Sequence, residues 1–203
     1  MTSLLSDSLL AMDSSSSILR LAVRFGSDRL VQSAEDADRS HGQVIMRKIS
    51  NLLDSGGLLP ADLGGLIVCT GPGSFTGLRV GIAVAKGMVV ALDIPIAGVS
   101  LFDVAAYRVV DSEQPVLALV QQRRGEFLAA TIQRGKYAIE QVQTVSAAQI
   151  PALTGQYRVV SIGTVDPPVA GNVESIEYEA ADFVYLGESR LTNGGDNVEY
   201  LEP

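Results

Sequence analysis

Tryptophan is missing from this sequence, and cysteine and histidine occur once each. With aromatic residues at only 5%, the core has to be built from Val, Ile, Leu and Ala. The lone cysteine, Cys69, rules out an internal disulfide and suits a reducing compartment. Its place in the apolar run "LIVCT" points to a buried, inert thiol rather than a nucleophile. Zinc and iron sites draw on several His or Cys ligands, which one His41 and one Cys69 do not supply. No metal or other cofactor is therefore expected. Cations are scarce as well: 15 Lys and Arg stand against 23 Asp and Glu, a net charge of -8. Phosphate neutralisation supplies most nucleic-acid affinity, so such a chain is poorly suited to bind RNA unaided. Any RNA contact should come through a partner's positive surface. The start, "MTSLLSDSLLAMD", lacks a basic segment and carries Asp7 among its apolar residues, unlike a signal peptide. No apolar run reaches the ~18 residues of a membrane span, and a cytoplasmic protein is expected.

What is present is a repeated pattern. "LLAMD" (9–13), "ILRLAVRF" (18–25) and "RLVQSAE" (29–35) read as three strands, with a turn at Gly26-Ser27-Asp28. Ser40 is placed to cap a helix in which Val44, Ile45, Ile49, Leu52 and Leu53 recur at helical spacing up to Gly56-Gly57. "GLIVCT" (65–70) follows as a short buried strand. After a long helix at 74–92 and a shorter one capped by Ser100, the order returns. "VLALVQQ" (116–122), "EFLAATIQ" (126–133) and "YAIEQVQTV" (137–145) read as strands with turns at Arg124-Gly125 and Gly135-Lys136. Ser146 is expected to cap the short helix "AAQIPALT", limited by Pro151, before the strand "YRVVSIG" (157–163). Two passes of βββαβ are the plan of the α/β ribonuclease-H-like folds shared by actin, sugar kinases and Hsp70 ATPases (ASKHA). The expected division is a first lobe at 1–105 and a reduced second lobe at 106–203. Residues 166–203, rich in Gly, Pro, Asn and Glu, carry the weakest pattern.

Between strand and helix lies "CTGPGSFTGLRVGIAVAKG", Cys69 to Gly87. Gly71, Pro72, Gly73 and Ser74 form a loop of the kind that cradles phosphate, but each specific motif fails. Gly71 to Gly77 is one residue too long for a Walker A loop, and Leu78-Arg79 follow where it needs Lys and Ser or Thr. Gly71-x-Gly73 lacks the third glycine of the dinucleotide fingerprint at its spacing. Ser74 directly follows Gly73, unlike a G-x-S-x-G elbow. Ser74 or Thr76 as helix N-cap is the simpler assignment. Asp13 ends the first strand where a nuclease or ATPase of this class places a carboxylate. The equivalent strand of the second lobe offers Gln121, and "LIVCTGPG" offers none. Too few carboxylates remain to gather a magnesium ion.

The helix at 74–92 carries only two charges, Arg79 and Lys86, seven residues apart on one narrow stripe. The rest is apolar around most of its circumference, more than covering one sheet face requires. Gly77, Gly81 and Ala85 form a smooth i, i+4, i+8 track suited to close backbone packing. A helix sandwiched within its own chain is the plain alternative; a subunit interface is the sharper one.

"GPGSFTGLRVGIAVAKGMVVALDIPIAGVSLFDVAA" (71–106) resembles the signature segment of the TsaB (YeaZ) family. "AMDSSSSILRLAV", "SHGQVIMRKISNLL" and "VQQRRGEFLAATI" are similar to its first hairpin, first helix and second-lobe strand pair, and the likeness spans about 9–145. The chain departs from the family pattern at Gly42, Gln121 and Glu202. The resemblance implies an actin-like fold without an intact active site, and a non-catalytic dimerisation subunit. It would serve the bacterial machinery that makes N6-threonylcarbamoyladenosine (t6A) at position 37 of tRNAs reading ANN codons. The implied partners are TsaD, which carries the metal and transfers the threonylcarbamoyl group, and the ATPase TsaE, with a homodimer when TsaD is absent and tRNA met only through the complex. The implied contact surface is the helix pair at about 41–55 and 74–92. On this chain it comprises His41, Ile45, Ile49, Phe75, Leu78, Ile82, Ala85, Lys86 and Val89, with Gly77 and Gly81 as the close-packing track. Leu78→Asp or Ala85→Glu is then expected to abolish pairing and leave the monomer folded. The rival is an enzyme, either a remnant of a glycoprotease-like peptidase or a small ATPase using Asp13.

Overall fold

Alternating apolar positions set the strands, and two five-stranded sheets follow from them. The computed structural model describes residues 8–27, 29–36, 41–134, 136–137, 141–163, 165, 170 and 172–203, with no side-chain description at 41–43. Asp28, Ser40 and Gly135, expected in turns and a cap, lie outside these residues, as does part of the strand expected at 137–145. The chain divides into two compact units, the first Met1–Val99 with Glu179–Pro203, the second Ser100–Tyr178.

In the first unit β1 (Ser8–Asp13), β2 (Ile18–Phe25) and β3 (Arg29–Asp36) form an antiparallel meander. α1 (His41–Gly56) and a 3₁₀ turn at Pro60–Asp62 lead to β4 (Leu63–Gly71), which pairs parallel to β1. α2 (Phe75–Leu92) then leads to β5 (Ile96–Ser100), and the sheet order is β3-β2-β1-β4-β5. Period-two alternation sends Leu10, Met12, Leu19, Leu21, Leu66 and Val68 to one face, where Ile45, Ile49 and Leu53 of α1 and Ile82, Ala85 and Val89 of α2 close the core. By length and composition α2 is apolar enough to cross a membrane, contrary to the expectation that no run reaches that length. In this fold Leu78, Ile82, Ala85, Met88 and Val89 are buried in the core of the first unit.

In the second unit α3 (Leu101–Arg108) begins at a capping box. The Ser100 hydroxyl accepts from the Asp103 amide at 3.0 Å, and the Asp103 carboxylate accepts from the Ser100 amide at 2.8 Å. The strands are β6 (Val116–Arg123), β7 (Glu126–Ile132), β8 (Gln143–Ser146), β9 (Arg158–Ile162) and β10 (Val173–Ile176), with α4 (Ile150–Leu153) between β8 and β9. Their order, β10-β9-β6-β7-β8, repeats that of the first sheet strand for strand. The duplicated ribonuclease-H-like plan is thus present twice in topology. Ser146 does not cap α4: its amide and hydroxyl both donate to the Gln149 side chain in a turn, and the helix starts only at Ile150.

The weakly patterned end holds α5 (Ala180–Thr192), which belongs to the first unit and corrects the expected division at 105/106. The reason is the second face of the first sheet, apolar as the face beneath α1 and α2 is. α5 covers it at close range. A Cβ at Gly187 would collide with Ile67, and one at Gly65 would come within 2.8 Å of Leu191. The second unit is therefore inserted in sequence between β5 and α5.

Candidate functional site

The glycine loop turns the chain from β4 into α2 with its backbone against the β1–β2 turn. Gly71 sits at φ +101°, where a side chain is strained, and the Gly71–Pro72 peptide bond is cis. The Ser74 amide donates to the Ser15 carbonyl at 2.6 Å, and the Ser14 hydroxyl donates to the Gly77 carbonyl at 2.9 Å. A Cβ at Gly73 would strike the Ser15 carbonyl, and one at Gly77 or Gly81 would strike Ser14. The small-residue track is thus occupied by the chain's own Ser14, not by a second chain. Ser74 caps α2, its hydroxyl accepting from the Gly77 amide at 3.2 Å. Thr76 lies within the first turn and is exposed.

Behind this junction Asp13 is fully buried. Its carboxylate accepts from the Ser15 amide at 2.8 Å and lies 3.6 Å from the Arg20 guanidinium. Arg20 also donates to the Ser16 hydroxyl. Burial, and secondarily the Asp13 carboxylate, push the Cys69 thiol well above its ordinary range, so it stays protonated and unreactive. Among the described residues no three His, Cys, Asp or Glu side chains gather to hold a metal ion. Chemically the arrangement is a closed structural joint. Its carboxylate is held by the Ser15 amide of the turn and by Arg20 of β2.

α1 and α2 pack side by side, and burial divides the expected contact residues sharply. Ile45, Ile49, Leu78, Ile82, Ala85 and Val89 are all buried within the first unit. They meet their own sheet, and a partner cannot reach them without opening the lobe, which corrects the expectation for these six. Phe75 is 62% exposed, with the Arg79 guanidinium 4.5 Å from its ring centroid. Lys86 is half-buried and donates to the Glu199 carbonyl at 3.2 Å. His41 starts α1, and its side chain lies outside the description. The outer surface instead includes Phe75, Arg79, Ala83, Gly87 and Val90 on α2 and, on α1, Met46 beside the polar Arg47, Ser50 and Asp54, with Val90 at 72% and Met46 at 48% exposure. The signal for it was in the sequence. Arg79 and Lys86 mark the solvent stripe, and Ala83 and Val90 stand four residues beyond each. The face that stays exposed is the charged side of the helix, not the opposite one.

Similarity to known proteins agrees with this architecture. A family model described as TsaD, tRNA N6-adenosine threonylcarbamoyltransferase, matches residues 33–188. The tRNA threonylcarbamoyladenosine biosynthesis protein TsaB of Escherichia coli is 34% identical over 137 residues, 62% of this chain and 58% of that protein. The TsaB of Bacillus subtilis is 29% identical over 134 residues, 66% of this chain and 58% of that protein. The matched part thus spans just over half the length of these relatives. Among solved structures, a Pseudomonas aeruginosa protein described as similar to peptidase YEAZ superposes with a TM-score of 0.74 at 24% identity. The match covers 97% of this chain and 98% of that one. YeaZ of the same organism gives 0.72 at 21% identity. At these identities the superpositions show a shared fold.

Proposed function

The chain belongs to the TsaB (YeaZ) family, and from that membership we propose that it serves in t6A formation on tRNA, in the cytoplasm, as a non-catalytic subunit that binds and supports a TsaD partner. TsaE is the further protein of that assembly, and tRNA is met through the complex. The observation that carries the non-catalytic reading is the closed joint at Asp13. The carboxylate an actin-like ATPase would direct at a metal is buried and held by Ser15 and Arg20. The net charge of -8 accords with a subunit that leaves RNA contact to others.

The partner surface in this reading is the outer side of α1 and α2. Exposed apolar residues of this size along the two helices, Phe75 and Val90 near opposite ends of α2 and Met46 on α1, are the kind of anchor an interface uses. The same surface supports a homodimer in the absence of TsaD. The test is the solution mass, by light scattering on a sizing column, of this protein alone and mixed with the TsaD relative from the same cell. A heterocomplex that forms with the unsubstituted chain and is lost with Phe75→Asp or Val90→Glu supports the reading. A chain whose mass is unchanged on mixing overturns it.

A further inference from the structure

The two edges of the first sheet are treated differently. β3, at one edge, carries Arg29, Glu35 and Asp36, all exposed, and such charges discourage pairing with another strand. β5, at the other edge, reads Ile-Ala-Gly-Val-Ser and has no charge. Its inner side is taken by β4, beside which the Leu66 amide donates to the Pro95 carbonyl. Its outward groups belong to Ile96 and Gly98, and a run of chain that is not a strand satisfies them. The Asp196 amide donates to the Ile96 carbonyl at 2.7 Å, and the Gly98 amide donates to the Asp196 carboxylate at 2.7 Å. The Arg190 guanidinium donates to the Gly98 carbonyl.

The path of this segment fits that task. Gly194 and Gly195, at φ +106° and +70°, turn the chain from the end of α5 toward β5. Further on, Leu201 is buried in the core beneath α2, and a Cβ at Gly98 would lie 2.7 Å from its Cδ1. Between these anchors Asn197, Glu199 and Tyr200 stay exposed. We propose that residues 193–203 are a guard for the β5 edge, a strap that occupies the Ile96 carbonyl and the Gly98 amide, with Arg190 of α5 holding the Gly98 carbonyl, and so prevents a second copy of this chain from pairing there. A second copy is the partner to exclude because the edge, once uncovered, is self-complementary. Two β5 edges related by a two-fold axis present the same donors and acceptors to each other.

The strap touches α2 at Lys86, which donates to the Glu199 carbonyl, and a Val90→Glu background, which disables the partner surface, keeps the two readings apart. In that background Asp196→Ala with Leu201→Asp releases both ends of the strap. Light scattering should then give a mass that rises with concentration to about two chains or more, while hydrogen exchange at the Gly98 amide accelerates in the dilute monomer. A folded double variant with an accelerated Gly98 amide and an unchanged mass overturns the guard. Asp196→Ala alone, which removes the acceptor of the Gly98 amide and leaves Leu201 in the core, covers the case in which the double variant does not fold. It should speed Gly98 exchange by about tenfold or more, and no acceleration overturns the proposal.

Discussion

At the residue scale, glycine has opposite meanings at two places in α2. Gly77 faces the Ser14 carbonyl with no space for a methyl group, and a backbone atom cannot step aside. Gly77→Ala should cost about 1–3 kcal/mol, the usual penalty for overpacking. Gly87 has nothing within 4 Å of a built Cβ and lies exposed in the helix interior. There Gly87→Ala should raise stability by about 0.5–1 kcal/mol. Urea unfolding midpoints of the two variants check both signs. Cys69 supplies a pH dependence of known direction. Burial raises its pKa in the folded chain, so the folded state keeps a proton that the unfolded chain releases above about pH 8.5. The stabilisation is present below that pH and is lost above it, by at most about 1.4 kcal/mol per pH unit. Cys69→Ala should remove that part of the alkaline slope in unfolding free energy. Identical slopes for the two proteins would refute the assignment.

At the element scale, α2 has two sides with separate tasks, and substitutions distinguish them. Leu78 and Ala85 are interior, so Leu78→Asp or Ala85→Glu buries an unpaired charge and should unfold the first unit. Circular dichroism on the purified variants would show it, and a folded Leu78→Asp protein would contradict the packing described. Phe75→Asp and Val90→Glu change exposed side chains and should alter stability by no more than about 0.5 kcal/mol. Loss of pairing by these two without loss of fold is therefore informative, whereas loss of pairing by Leu78→Asp is not. The length of α2, its Ser74 cap and its apolar excess were legible in the sequence. Which side was already covered was not, because α1 and five strands decide it.

At the scale of the whole molecule, the first unit is completed by residues from both ends of the chain. α5 covers the second face of the first sheet, with Gly187 against Ile67. A chain ending at Tyr178 leaves Leu9, Ala11 and Ile67 without that cover, and should lose the cooperative unfolding transition of the first unit and become sensitive to protease. The second unit, Ser100–Tyr178, is continuous and has its own core around Leu117, Leu119, Phe127 and Ile150. A protease-resistant first unit in the shortened chain would show that α5 is dispensable.

The sequence by itself determined β1 to β4, β6, β7 and β9 to within a few residues, the Ser74 and Ser100 caps, and the duplicated βββαβ order, but not the edge strands β5 and β10. What it determined depends on local spacing, and period two or 3.6 is visible in a string of letters. It also determined the paucity of ligands, since one His41 and one Cys69 are a matter of composition. The tertiary structure alone decided what each surface meets. Ala180, Phe183, Val184, Gly187 and Leu191 have helical spacing, yet nothing local says that they return to β4 across the inserted unit. Gly77 and Gly81 advertise close packing, but only the fold shows that Ser14 is what packs there. Burial is set by contacts between residues distant in sequence. The apolar excess of α2 is therefore interior because the sheet and α1 cover it, which no local pattern encodes.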